Sequence, residues 1–140
     1  MRAVSRFIIR SIYRIYLEIG WRPSLSEAVR LWRLADILYI GLFGPRGVLY
    51  PEYEVFRRLC DLEDVSDVEV LKLLQSPSVV VVGYAFEILI YRDSDLVEKS
   101  LEIVKERRDE VVLGVGCMTT TVPLGEFVAD RIYQYKHVQT

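Results

Sequence analysis

Val79-Val80-Val81-Val82-Gly83-Tyr84-Ala85-Phe86-Glu87-Ile88-Leu89-Ile90-Tyr91 decides the fold, because Gly83 and Glu87 are the only breaks in its apolar run. A segment this apolar is either a helix buried on every side or contains a buried strand. The four valines favour a strand at 79–82. The length of the run and the absence of a turn signal from Ala85 to Leu89 favour one central helix, which is the reading adopted. Glu87 then needs an explanation, since a carboxylate inside an apolar helix must be paired, protonated or turned into a cleft. Arg92 lies too far round the helix for an i, i+4 contact, whereas an arginine from the N-terminal part of the chain could reach Glu87 across the fold.

On both sides of this run the pattern is helical. Residues 2–19 place Val4, Phe7, Ile8, Ile12, Ile15, Tyr16 and Ile19 near helical spacing, with Arg2, Arg6, Arg10 and Arg14 at i, i+4 on another face. After Gly20 to Pro23, Ser24 and Glu27 have the spacing of a capping box for a second helix that reaches about Gly41. Gly41 to Gly47, with three glycines and Pro45, is a strong stop. Pro51 opens a third helix, and Ser66 or Asp67 caps a short fourth that runs to Leu74. Ser76 and Pro77 then restart the chain. Beyond the central run, Asp93 or Ser94 caps a surface helix with the stripe Val97, Leu101 and Val104. Val111 to Thr121 reads as a strand or a short irregular helix, and a last helix begins near Pro123 and frays toward Thr140. The fold class expected is all-α, one compact multi-helix domain over residues 1–140, with short strands left open at 79–82 and 111–121.

Within residues 67–105, Leu73-Leu74-Gln75-Ser76-Pro77 followed by Val82-Gly83-Tyr84-Ala85-Phe86-Glu87-Ile88-Leu89 resembles a HEAT-type helical repeat. In such repeats a short helix ends in a polar-Pro turn and an Ala-containing apolar helix packs behind it. An offset of about 44 residues, which aligns Ala85 with Ala129 and Ile88 with Ile132, falls within the period of two-helix solenoids. The resemblance implies HEAT-like helix pairing and, by analogy with small bacterial immunity proteins, binding in place of catalysis.

Composition narrows the function classes. Hydrophobic residues are 51% and charged residues 27% of the chain, enough for a core and without bias to disorder. No uncharged stretch reaches the ~18 residues of a membrane span. Arg6, Arg10 and Arg14 break any signal-peptide core, so a cytoplasmic protein is expected. Cys60 and Cys117 form no Cys-x-x-Cys and have only His137 as a nitrogen partner, which argues against zinc and favours two buried reduced thiols over a disulfide between them. His137 lies near the C-terminal end of the sequence, a poor place for the base of Ser-His-Asp or Cys-His chemistry. Gly114-Val115-Gly116 lacks the third glycine of a dinucleotide loop. No catalytic residue, metal or cofactor is therefore expected, and the one enzymatic arrangement left open is Glu87 with Tyr84 in a cleft.

The net charge of −2 conceals an uneven distribution. Residues 1–60 hold ten Arg, no Lys and five acids, a local charge of +5, whereas residues 61–140 hold eight bases and fifteen acids, a charge of −7. Asp61, Glu63, Asp64, Asp67 and Glu69 crowd five carboxylates into nine positions. An EF-hand calcium loop counted from Asp61 would need Gly at 66, where Ser stands. The cluster reads either as a solvated helix junction, exposed or opposed by Arg57, Arg58 and Lys72, or as a docking surface for another protein, a basic one; docking is the leading expectation, with an immunity-type inhibitor as its specific form. The alternative is a nucleic-acid-binding domain using Arg2, Arg6, Arg10 and Arg14. Against it stand the overall negative charge and the equal fit of that stripe to acids of the C-terminal half.

Overall fold

The computed structural model describes residues 2–43 and 50–138, with side chains over 6–40 and 50–137. In chain order the described residues form α1 (Arg2–Glu18), α2 (Leu25–Arg33), β1 (Ile37–Phe43), α3 (Pro51–Cys60), α4 (Asp67–Lys72), a 3-10 turn (Leu73–Gln75), α5 (Val79–Tyr91), α6 (Val97–Val104), β2 (Glu110–Gly116), β3 (Met118–Pro123) and α7 (Leu124–Val138). The three strands make one mixed sheet in the order β1-β2-β3, parallel between β1 and β2 and antiparallel between β2 and β3. The all-α expectation is therefore corrected to a mainly helical fold with a three-stranded sheet.

The correction has a physical origin at β1. Leu31, Leu34 and Leu38 carry helical spacing past the true end of α2, where the Leu34 N–H already bonds back to the Leu31 carbonyl at 3.1 Å. Ile37 to Phe43 is instead an unbroken apolar stretch rich in Ile and aromatics, the composition of a parallel strand covered on both faces. The uncertain segment 111–121 is a hairpin. Val115 pairs with Met118 across Gly116-Cys117, and Gly116 at φ +61° fits the first central position of a type II′ turn. Residues 79–82 are helical, not a strand. Residues 44–47 of the expected break, and residues 139 and 140 of the tail, lie outside the described residues.

Helix α5 occupies the centre. Val80 to Leu89 are all buried, so each valine there gains on the order of 1.5 kcal/mol or more from burial, against a helix-propensity cost of only about 0.5 kcal/mol. Its N-cap is Ser78, whose side chain accepts from the Val81 N–H, two residues later than the Ser76 start expected. Helices α2, α3, α4, α6 and α7 and strands β1 and β2 surround it. The Trp32 and Phe56 rings stack on Tyr84 at centroid distances of 4.9 and 5.6 Å. The Tyr84 hydroxyl donates to the Tyr39 carbonyl and accepts from the Tyr39 N–H, each at 3.0 Å, which ties β1 to the central helix.

Two glycines make the connections that hold outer helices in place. Gly20, at φ +86°, ends α1 in a Schellman motif: its N–H reaches the Leu17 carbonyl, the Trp21 N–H reaches the Tyr16 carbonyl, and the Trp21 ring packs on Tyr16. Gly125, in the first turn of α7, lies so close to the loop after α6 that an added Cβ would sit 2.3 Å from the Lys105 carbonyl oxygen. The N–H groups of Leu124 and Gly125 donate to the Asp109 and Arg107 carbonyls, each at 2.9 Å, so that loop satisfies the start of the helix. Gly125→Ala is expected to lower stability by about 1–3 kcal/mol through this backbone clash. Gly20→Ala, which meets open space, should cost about 1 kcal/mol from its φ alone. Urea unfolding of both variants measures this, and a Gly125→Ala midpoint equal to that of the parent would show that α7 and the loop are not in such close contact.

Candidate functional site

The structure divides the five acids. Asp61 is the C-cap of α3, and Glu63 and Asp64 follow it in the loop before α4, all three exposed. Asp67 and Glu69 instead lie in the first turn of α4, where negative charge suits the helix N-terminus. Asp67 is neutralised by Arg92 at 3.0 Å. Glu69 turns toward a separate groove of about 840 Å3, whose lining includes Arg30 and Arg33 of α2.

What shapes the loop is Arg92, a residue that the sequence pattern gave no reason to place here. Its Nε donates to the Cys60 carbonyl, Nη1 to the Val65 carbonyl and the Asp67 carboxylate, and Nη2 to the carbonyls of Leu59 and Leu62, all between 2.5 and 3.0 Å. These contacts use all five donors of one guanidinium, and they hold the end of α3 and the turn after it in a single geometry. The counter-charges expected from sequence do not take this role. Arg57 is exposed, and Arg58 donates to the Leu17 and Trp21 carbonyls at 2.7 and 2.6 Å, so it locks the turn between α1 and α2.

The two locked turns face each other across a groove of about 580 Å3. One wall holds Arg22, Pro23, Ser24 and Glu27, fixed by a complete capping box in which Ser24 Oγ accepts from the Glu27 N–H and Glu27 Oε1 from the Ser24 N–H. The other wall is Asp61, Leu62, Glu63 and Asp64. Four carboxylates thus line the groove with one guanidinium. The Tyr91 hydroxyl donates to Asp61 at 3.3 Å, and that neighbouring negative charge pushes the Tyr91 phenol up.

The N-terminal arginines are arranged differently from a phosphate-binding stripe. Arg6 pairs with Asp36, and Arg10 with the buried Glu52 at 2.6 Å while its guanidinium lies over the Tyr50 ring. Both partners belong to the N-terminal half, not to the acidic C-terminal half. Arg14, rotated about 40° further round the helix, is exposed, and the Arg2 side chain lies outside the described residues.

Glu87 is paired, as its burial requires, but by Arg131 of α7, whose Nε and Nη2 donate to its two oxygens at 2.6 and 2.8 Å. A cavity of about 250 Å3 does adjoin Glu87 and Tyr84. Both groups face it already engaged, Tyr84 with Tyr39 and Glu87 with Arg131, and burial holds the Tyr84 phenol well above its usual range. Among the described residues no group of His, Cys, Asp or Glu is placed to hold a metal ion, and no helix is long and apolar enough to cross a membrane. No family model matches the chain, and neither a curated protein nor a solved structure shows a match.

Replacing the fork at the loop tests its role directly. Arg92→Lys keeps the charge but cannot serve five acceptors, and is expected to cost about 2–4 kcal/mol and to speed amide exchange in residues 61–66. Parent-like stability and exchange would remove the staple. The thiols offer a second check. Cys60 is buried and Cys117 exposed, so only one of the two expected buried thiols is found, and burial pushes the Cys60 thiol up to about 12. A thiol reagent near pH 8 should titrate one sulfur quickly in the folded protein and two after denaturation; two fast thiols would contradict the burial of Cys60.

Proposed function

We propose that this protein is a binding module that takes a basic segment of a partner protein into the groove between the α1–α2 turn and the α3–α4 loop. The observation that carries this reading is the charge of the groove, in which Glu27, Asp61, Glu63 and Asp64 are set against Arg22 alone. Lysines and arginines of a partner are attracted to such a surface over a Debye length and docked in register by it. Rigid walls add to the fit, since the capping box on one side and Arg92 on the other leave little loop entropy to lose on binding. Asp61 supports the same conclusion from its position. A carboxylate at a helix C-terminus opposes the macrodipole by about 0.3–1 kcal/mol, a cost that the single long, exposed hydrogen bond from Tyr91 offsets only in part.

An immunity-type inhibitor that masks a basic surface is the specific form of this proposal, supported by the helical content and the acidic groove. The HEAT-like pairing of residues 67–105 stays a proposal of the same kind, supported by the packing of α4 and its 3-10 turn on α5. Nucleic-acid binding through the N-terminal arginines has less support, because Arg6 and Arg10 are engaged by Asp36 and Glu52.

The triple variant Asp61→Asn, Glu63→Gln, Asp64→Asn separates function from stability. Its thermal midpoint is expected to equal or exceed that of the parent, while affinity for a protein partner purified from the native host falls at least tenfold and loses most of its salt dependence. Asp67→Asn should do the reverse, lowering stability with little effect on affinity. Unchanged affinity and salt dependence in the triple variant would overturn the proposal.

A further inference from the structure

Helix α1 has its apolar face on the wrong side for a lone molecule. Tyr13 and Leu17 turn inward with Arg6 and Arg10, while Ile8, Ile12, Ile15 and Ile19 are 41–75% exposed. These isoleucines follow one another at steps of four, three and four residues, the spacing of a coiled-coil seam. The positions that such a seam would leave in water are the ones this chain packs onto its own core.

We propose that this stripe is an interface with a second copy of the chain, joined to it by antiparallel pairing of α1 about a two-fold axis between Ile12 and Ile15. In that arrangement Ile8 lies opposite Ile19 of the second copy and Ile12 opposite Ile15, so one patch buries itself in the way an isologous contact requires. Charge selects the direction. The seam is flanked by Ile9 and Tyr16 on one side and by Ser11 and Glu18 on the other. Antiparallel pairing sets Glu18 beside Ser11 of the second copy, whereas parallel pairing brings opposite flanks together and would set the Glu18 carboxylate against Tyr16 of the second copy. Area agrees: at these exposures the isoleucines with Tyr16 leave roughly 500 Å2 of apolar surface bare, the upper range for a monomer, and two copies approach the ~1,000 Å2 of a specific interface. A lipid surface is the poorer occupant, because two of the three arginine side chains described on α1, Arg6 and Arg10, are held inward by Asp36 and Glu52, which leaves Arg14 as the one exposed cation among them. The proposal does not depend on the acidic groove.

Light scattering on the full chain at micromolar concentration is expected to give twice the 16.3 kDa chain mass. Ile12→Asp with Ile15→Asp should give the single mass with an unchanged far-UV spectrum, and the milder Ile12→Ser with Ile15→Ser serves if the first variant fails to fold. Direction is read by cross-linking in a Cys117→Ser background. A mixture of Ile8→Cys and Ile19→Cys proteins should form a disulfide between the two variants, and Ile8→Cys alone should form none. A monomeric parent, a dimer that survives both Ile12/Ile15 variants, or an Ile8→Cys homodisulfide would each overturn the proposal. So would a monomer that sediments with vesicles of phosphatidylserine and phosphatidylcholine, which would assign the stripe to a lipid surface.

Discussion

Glu87 lies in a helix whose residues from Val80 to Leu89 are all buried, and its charge can be carried there only because Arg131 meets both carboxylate oxygens. Much else follows from that requirement. Enclosing α5 takes elements on every side, which is why helices from both ends of the sequence and two strands converge on it. The ion pair sets the rotation of α7, because only one face of that helix can present Arg131 to Glu87 while Phe127, Val128 and Ile132 stay in the core. Such a pair adds little net stability over an apolar contact, yet a misdocked α7 would leave a buried charge alone, so its main effect is on which packing is allowed.

A second theme is the use of arginine as a clamp on main chain. Helix ends and the turns after them leave carbonyl groups with acceptor capacity to spare, and three arginines take it up: Arg58 between α1 and α2, Arg92 after α3, and Arg107 at the Ser76 carbonyl. A lysine could not do this, since its ammonium lacks a flat fork of five donors. Arg6 and Arg10 are also turned inward, to Asp36 and Glu52. The ten arginines without a lysine in residues 1–60 therefore reflect, in part, a structural need for forks and not only a basic surface.

Much of the helical framework was legible in local chemistry. The Ser24–Glu27 capping box, Pro51 at the start of α3 and the Ser66 cap each act within one helical turn, so sequence spacing is enough to find them. β1 was not legible, because its pairing with β2 is set by residues far along the chain and its leucine spacing continues that of α2. The site was legible in part. The crowding of Asp61, Glu63 and Asp64 could be seen, but Arg22 and Glu27 join them only through the fold, and Arg92 stands 25 residues from the Asp67 it binds. The direction of α1 was misleading for a simpler reason: periodicity identifies an apolar face without saying what covers it.

The parallel pairing of β1 with β2 also has a consequence in time. Roughly seventy residues and four helices separate the two strands. On a ribosome that adds about 5–20 residues per second, β1 emerges roughly 4–15 s before β2 exists. During that interval an apolar strand has no neighbour in its sheet, and α5 has neither β2 nor α7 to close around it. The nascent chain must therefore pass through a state with open strand edges and bare valines, where chaperones and chance encounters compete with the native path.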